Sequence, residues 1–202
     1  MELVLASNNP GKAEELSRLL AESGIRVLPQ SEFRVPEAEE TGQTFVENAL
    51  IKARNATACS GRPALADDSG LCVDALEGAP GVRSARFAGP EADDAANRHL
   101  LLEQLRGETR RSARFVCVVV CIRHAYDPLP LIAQGEWHGR IGEEERGSGG
   151  FGYDPVFLPD EAPAKTAAEL APAEKDRLSH RGRALEGIRD RLPELLQERL
   201  GR

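Results

Sequence analysis

Met1-Glu2-Leu3-Val4-Leu5-Ala6-Ser7-Asn8-Asn9-Pro10-Gly11-Lys12 joins an apolar run to a polar turn and a lysine. Met1 to Ala6 predicts a short buried strand, and Ser7 to Gly11 a turn. From Lys12 to Glu22, Leu16, Leu19 and Leu20 recur on one face of a helix. Gly24 stops it, and Arg26 to Pro29 reads as a second strand. A strand, a helix and a second strand in this order begin an α/β fold.

The pattern continues outward. Segment 31–43 is acidic and aperiodic, a loop carrying Glu37, Glu39 and Glu40. Thr44 opens a second helix with a capping box, because Glu47 lies three residues on. Its apolar face runs Phe45, Ala49, Ala53, Ala56, and Gly61-Arg62-Pro63 ends it. Ala64 to Ala66 is a short strand running into Asp67-Asp68-Ser69-Gly70, with Leu71 to Val73 beyond. Residues 77–90 read as a loop and Asp93 to Leu105 as a helix with Leu101, Leu102 and Leu105 inward. Arg111 to His124 is the longest strand, and Leu129 to Trp137 returns as its hairpin partner. A glycine-rich loop, 147–155, precedes a short strand from Val156 to Leu158. Helical stretches over 166–178 and 181–199 close the chain. The expected fold is α/β with a long mixed sheet flanked by helices, in one domain over 1–202.

Composition narrows the function. The 202 residues are 41% apolar and 4% aromatic, so an aliphatic core is expected. A domain of this length buries roughly 70% of its unfolded surface and needs no disulfide framework. Cys59, Cys72, Cys117 and Cys121 show no zinc spacing, and Cys117 and Cys121 read as small buried hydrophobes on one face of a strand. The longest apolar run, Phe115 to Ile122, is far short of the about twenty residues a membrane helix needs. The first residues lack a basic n-region, so a secretory signal is not expected and a cytoplasmic protein is. A net charge of −7 argues against a nucleic-acid polymer as partner but not against a small phosphorylated ligand in a basic pocket.

Four groups of residues could do chemistry. Ser7 to Lys12, between strand and helix, offers backbone N–H groups and the positive end of a helix dipole to a phosphate. The alternative is a capped turn. Of 26 basic residues only Lys12, Lys52, Lys165 and Lys175 are lysines, so a lysine at that helix start hints that a point charge is wanted there. Asp67-Asp68-Ser69-Gly70 places carboxylates at a strand's carboxyl end, where ligands of α/β sheets bind. Together with Glu39 and Glu40 they suit Mg²⁺, which takes one or two carboxylates plus substrate phosphates. A solvated Asp-Asp turn is the alternative. Phe151-Gly152-Tyr153-Asp154-Pro155 could form a stacking surface on permissive backbone, or a hairpin turn with Phe151 in the core. Ser179-His180-Arg181 could donate to a base or phosphate, or cap a helix.

Ser7-Asn8-Asn9 with Lys12, Glu39-Glu40-Thr41-Gly42, Thr44-Phe45 with Glu47-Asn48-Ala49 and Lys52-Ala53, Asp67-Asp68-Ser69-Gly70-Leu71, Phe151-Gly152-Tyr153-Asp154-Pro155 and Ser179-His180-Arg181 occur in one order. Taken together, they resemble the inosine/xanthosine triphosphate pyrophosphatase family, from residue 3 to about 190. The resemblance implies two lobes with a cleft between them, a homodimer, Mg²⁺, and hydrolysis of ITP, dITP and XTP to the monophosphate and pyrophosphate. By position it implies that Ser7, Asn8, Asn9, Pro10, Gly11 and Lys12 cradle the triphosphate, with Lys52 assisting. Glu39 and Asp68 would hold the metal, Asp68 would also accept the proton of the attacking water, and Ser69 would touch substrate beside it. Phe151, Gly152, Tyr153, Asp154, Lys175, His180 and Arg181 would surround base and sugar, with Arg181 aimed at the C6 carbonyl. Pro10-Gly11 is a mild departure in the phosphate loop. The rival expectations are a pyrophosphatase for modified pyrimidine nucleotides and a nucleotide-binding regulator without turnover. The second would need no paired carboxylates.

Overall fold

The computed structural model describes residues 1–197. Six strands, β1 (Glu2–Leu5), β2 (Arg26–Pro29), β3 (Ala64–Val73), β4 (Ser112–Ile122), β5 (Leu131–Ile141) and β6 (Phe157–Pro159), form one sheet in the order β2-β1-β3-β4-β5-β6. β1 pairs parallel to both β2 and β3, while β5 and β6 are antiparallel, so the sheet is mixed. The helices are α1 (Pro10–Leu20), α2 (Phe45–Ser60), α3 (Asp94–Gln104), α4 (Pro172–Leu178), α5 (His180–Glu186) and α6 (Leu192–Gln197), and the α/β expectation holds. No helix among the described residues is long and apolar enough to cross a membrane.

The chain packs as two compact units. The first holds Met1–Asp68, Cys117–Gly135 and the residues from Arg181 onward; the second holds Ser69–Val116 and Glu136–His180. In the first, strand alternation sorts the core. Leu3, Leu5, Leu65, Cys117, Val119 and Cys121 pack with Leu16 and Leu20 of α1 and with Ile188, Leu192 and Leu196. Val4, Ala6, Ala64, Ala66, Val118 and Val120 face Ala49, Ala53 and Ala56 of α2. That core is aliphatic, as composition suggests. The second unit differs. It concentrates the few rings: Phe115 lies 4.7 Å from Phe157, and Trp137 5.3 Å from Phe157, among Leu71, Leu101, Leu105 and Ile141. Such tilted pairs add to the area they bury.

Four expected segments change. Asp67-Asp68-Ser69-Gly70 is neither the carboxyl end of a strand nor a turn but the middle of β3. β1 pairs with β3 only as far as Leu5 opposite Leu65, so these residues lie just past the carboxyl end of β1. Within 31–43, a 3-10 turn spans Gln30–Phe33. The expected helix over 166–178 is a 3-10 turn, Ala167–Glu169, followed by α4 with Pro172 at its start. The closing helix over 181–199 is interrupted: α5 ends before Gly187, and α6 carries Pro193 in its first turn, where proline is tolerated. Residues 198–199 of that expectation lie outside the described residues.

Candidate active site

The first unit's charged residues gather where β1 hands over to α1. Asn9 is the N-cap of α1, its side chain accepting from the Lys12 amide at 3.0 Å, and Pro10 takes the first helical position. The Asn9 amide in turn donates to Ser7 Oγ at 3.3 Å, and Gln30 Nε2 donates to Asn8 Oδ1 at 2.5 Å. The first turn of α1 carries no acidic residue, so nothing there offsets the positive end of its dipole.

Lys12 reaches back to the sheet. Its Nζ lies 3.3 Å from Asp67 Oδ2, and Arg181 Nη2 lies 3.2 Å from the same oxygen. Arg181 also donates through Nη1 to Glu15 on α1. Asp67 is fully buried. Burial alone would raise its carboxyl, but Lys12, Arg181 and Lys52 outweigh it and hold the group well below the usual carboxylate range.

Asp68 is one residue on and therefore faces the opposite side of the sheet, toward α2. Lys52 Nζ sits 2.7 Å from Asp68 Oδ1 and 2.8 Å from Glu40 Oε1. Asn48, also on α2, is buried, and its Nδ2 lies 3.5 Å from Asp68 Oδ2. Its Oδ1 accepts from the Gly42 amide at 2.8 Å, which ties the acidic loop to the helix. A Cβ on Gly42 would stand 2.6 Å from the Glu47 Cβ, so only glycine allows this approach. Burial lifts the Asp68 carboxyl above the usual aspartate range even against Lys52 and Lys12. Consecutive aspartates thus titrate in opposite directions. One is a fixed buried anion, and the other is a carboxylate with raised basicity.

The donor set fits a hard divalent cation. Asp68 and Glu40 already converge on the ammonium of Lys52, so a cation is stabilised here by carboxylate oxygens. Among the described residues no group of three or more His, Cys, Asp or Glu forms a complete ligand cluster. Mg²⁺ takes one or two carboxylates and completes its shell with phosphate and water, so none is required. Glu39 itself is exposed.

In the second unit a different group forms on the glycine-rich loop. Asp154 Oδ2 accepts from the Phe151 amide at 2.9 Å and from Lys175 Nζ at 2.5 Å. The same ammonium stands 5.0 Å from the centre of the Phe151 ring, a cation–π distance. Gly150 has φ +71°, and a Cβ there would fall 2.0 Å from Asp154 Oδ2. Tyr153 is buried and donates to the Ser84 carbonyl at 2.8 Å. His180 stacks on Phe115 with ring centres 4.8 Å apart. Ser69 follows Asp68 on β3 and is half-buried.

Sequence reasoning put His180 and Arg181 together beside a base. His180 packs with the second unit's rings, and the Arg181 guanidinium is buried in the first unit against Glu15 and Asp67. A buried guanidinium is stable where carboxylates neutralise it, and these two do. Glu15 and Asn48 had been given no role. Glu15 lies three residues after Lys12 and four before Leu19, a carboxylate spaced to share a helix face with a cation and a leucine, which is the available signal.

A profile of the Ham1 family matches residues 3–191. This chain belongs to the Ham1 family. It is 58% identical over 194 residues to a dITP/XTP pyrophosphatase of Thioalkalivibrio sulfidiphilus, covering 95% of this chain and 98% of that one. It is 60% identical over 190 residues to a protein of the same name from Aromatoleum aromaticum, covering 94% and 96%. Among solved structures, a HAM1 protein from Coxiella burnetii superposes with a TM-score of 0.87 at 51% identity, over 96% of this chain and 99% of that one. The Ham1 protein of Staphylococcus aureus gives 0.83 at 37% identity, over 96% and 99%. The resemblance drawn from the motifs is therefore borne out along nearly the whole chain.

Proposed function

We propose that this Ham1 protein hydrolyses the deaminated purine nucleotides ITP, dITP and XTP to the nucleoside monophosphate and pyrophosphate. The observation that carries the reading is the pair Asp67-Asp68, each carboxylate held by a lysine from a different helix. Identity near 60% to proteins named dITP/XTP pyrophosphatase supports the substrate class.

The chemistry follows from the charges. A nucleoside triphosphate carries about four negative charges at pH 7, which must be offset before water can attack. Lys12, the backbone from Ser7 to Gly11 and the N-terminus of α1 bind the phosphates, and Lys52 adds charge from α2. Asp68 accepts the proton of the attacking water, for which its raised basicity suits it. Asp67 keeps Lys12 in place. Ser69 contacts substrate next to Asp68. Phe151, Gly152, Tyr153, Asp154, Lys175, His180 and Arg181 serve base and sugar, and Arg181 also supports Asp67 and Glu15. Asp68 and Glu39 would hold Mg²⁺, which when bound supplies Lewis acidity toward the triphosphate. The protein works as a cytoplasmic homodimer without nucleic acid, and light scattering should give about 44 kDa, twice the chain mass of 21.9 kDa.

The test is product analysis with Mg²⁺ and ITP, dITP, XTP, ATP, GTP or dTTP. Pyrophosphate should appear, detected only through a coupled pyrophosphatase, with the deaminated purines turned over fastest. Direct release of orthophosphate would overturn the reaction type. Preferred turnover of dTTP would favour a pyrimidine substrate, and binding without turnover would leave a regulator.

A further inference from the structure

The Phe151–Asp154 loop is pinned from outside by α3. Asp94, in the first turn of α3, accepts the Gly152 amide at 2.7 Å. One turn on, Arg98 Nη1 donates to the Gly152 carbonyl at 2.9 Å. Both backbone polar groups of Gly152 are thus taken by residues i and i+4 of one helix, which share a face. Arg98 is fixed in turn by Glu145, with Nε 2.9 Å from Oε2. Its side chain is 15% exposed and the carboxylate 41%.

Gly152 needs this restraint. Its φ is +60°, and the space where a side chain would stand is open, with nothing within 4 Å of a Cβ. Glycine has the largest backbone freedom to lose. On either side the loop is held by other means: the Phe151 amide on Asp154, and the Tyr153 hydroxyl on Ser84. Rotation about Gly152 would still swing the Phe151 ring, because the ring is attached one residue away. The two bonds to charged side chains are of the stronger kind and oppose that rotation.

We infer that Asp94 and Arg98 are positioning residues that set the attitude of the Phe151 ring, and through it the affinity for the nucleobase, without touching substrate. The inference rests on the reading of Phe151 as a base contact. Removing either partner leaves the triphosphate residues of the first unit as they are, so the loss falls on base affinity.

The experiment compares Asp94→Ala, Arg98→Ala, Arg98→Lys and Phe151→Ala. Steady-state kinetics would use ITP, with tripolyphosphate as a base-free competitive inhibitor. Asp94→Ala and Arg98→Ala should raise KM for ITP roughly tenfold, about the loss of one charge-assisted bond, and change kcat less than about threefold. The inhibition constant of tripolyphosphate should stay as in the parent. Arg98→Lys keeps the charge but not the fork to Glu145 and Gly152, and should fall between. Amide exchange over 150–154 in the unliganded enzyme should speed up in both alanine variants and not in Phe151→Ala. The two failures are distinguishable. If Phe151→Ala leaves KM for ITP unchanged, the base-contact reading falls and the inference with it. If Phe151→Ala raises KM while the α3 variants move neither KM nor exchange, the inference alone is wrong. A parallel loss of tripolyphosphate affinity in the α3 variants also overturns it, since that marks a general structural defect.

Discussion

Replacing either of two adjacent aspartates by asparagine should do opposite kinds of damage. Asp67 is surrounded by Lys12 at 3.3 Å and Arg181 at 3.2 Å, with a fully buried guanidinium. At an effective dielectric of about 20, each such contact is on the order of 5 kcal/mol before desolvation. Breaking a buried pair from one side leaves an uncompensated charge and costs about 3–5 kcal/mol. In a chain of this size each kcal/mol lowers the melting temperature by roughly 2–4 °C, so Asp67→Asn should melt about 6–20 °C below the parent. Asp68 is different. Lys52 keeps Glu40 at 2.8 Å when Asp68 loses its charge, and burial already disfavours that charge. Asp68→Asn should therefore stay within about 1 kcal/mol of the parent in stability. Its kcat on ITP should fall at least about 10²-fold, the low end for loss of a general base. Differential scanning calorimetry and a coupled pyrophosphate assay on both variants decide the matter. An Asp67→Asn that melts with the parent, or an Asp68→Asn that turns over near the parent rate, would refute the division of labour between the two carboxylates.

Other perturbations test other parts of the molecule. Asp127, at the β4–β5 turn, accepts from the Arg123 amide, Nε and Nη2 at 2.9, 2.9 and 2.7 Å and from the Leu129 amide at 3.0 Å. Arg123 first, then these amides, hold its carboxyl well below the usual range, so its stabilisation is present above the unfolded-state pKa and is lost as pH falls. Asp127→Asn should be about 2–4 kcal/mol less stable than the parent at pH 7, and urea titrations should show that gap narrowing by on the order of 1 kcal/mol at pH 3. A gap equal at both pH values would remove the charge from the explanation. Gly150→Ala places a methyl 2.0 Å from Asp154 Oδ2 at φ +71°, and should raise KM for ITP by about fivefold or more while tripolyphosphate inhibition is unchanged. For the metal, Glu39→Gln should raise the Mg²⁺ concentration for half-maximal rate by roughly tenfold, as loss of a ligand-sphere partner does, and Glu40→Gln by much less. A larger effect at Glu40 would move the ligand to that residue.

The parts of the fold legible in the sequence are those fixed by local chemistry. Strand β2, Arg26–Pro29, and helix α2, opened by Thr44 and closed by Gly61, stand where apolar periodicity and caps placed them. The Thr44–Glu47 box satisfies the N-terminal donors whatever the rest of the chain does. The misread segments are those decided by distant partners. Asp67-Asp68-Ser69-Gly70 lacks strand propensity, and nothing local predicts that β3 runs on through it. It does so because Lys12, Arg181 and Lys52 arrive from three helices to neutralise the two carboxylates.

The same division governs the charged site. Which residue types were involved could be read from Lys12, Lys52 and Asp68, since chemistry and spacing both marked them. Which residue pairs with which could not, because that depends on strand alternation at a position where no strand was expected. Once Asp67 and Asp68 lie on a strand, they must face opposite sides, and each must find its own lysine. Asp67 and Arg181, 114 positions apart, meet in one buried ion pair, and no sequence pattern reports a contact of that range. Through that contact Arg181 supports Asp67. The guanidinium takes the position where two carboxylates, Glu15 and Asp67, neutralise it. In the second unit, Lys175 is likewise held between the Asp154 carboxylate and the face of Phe151.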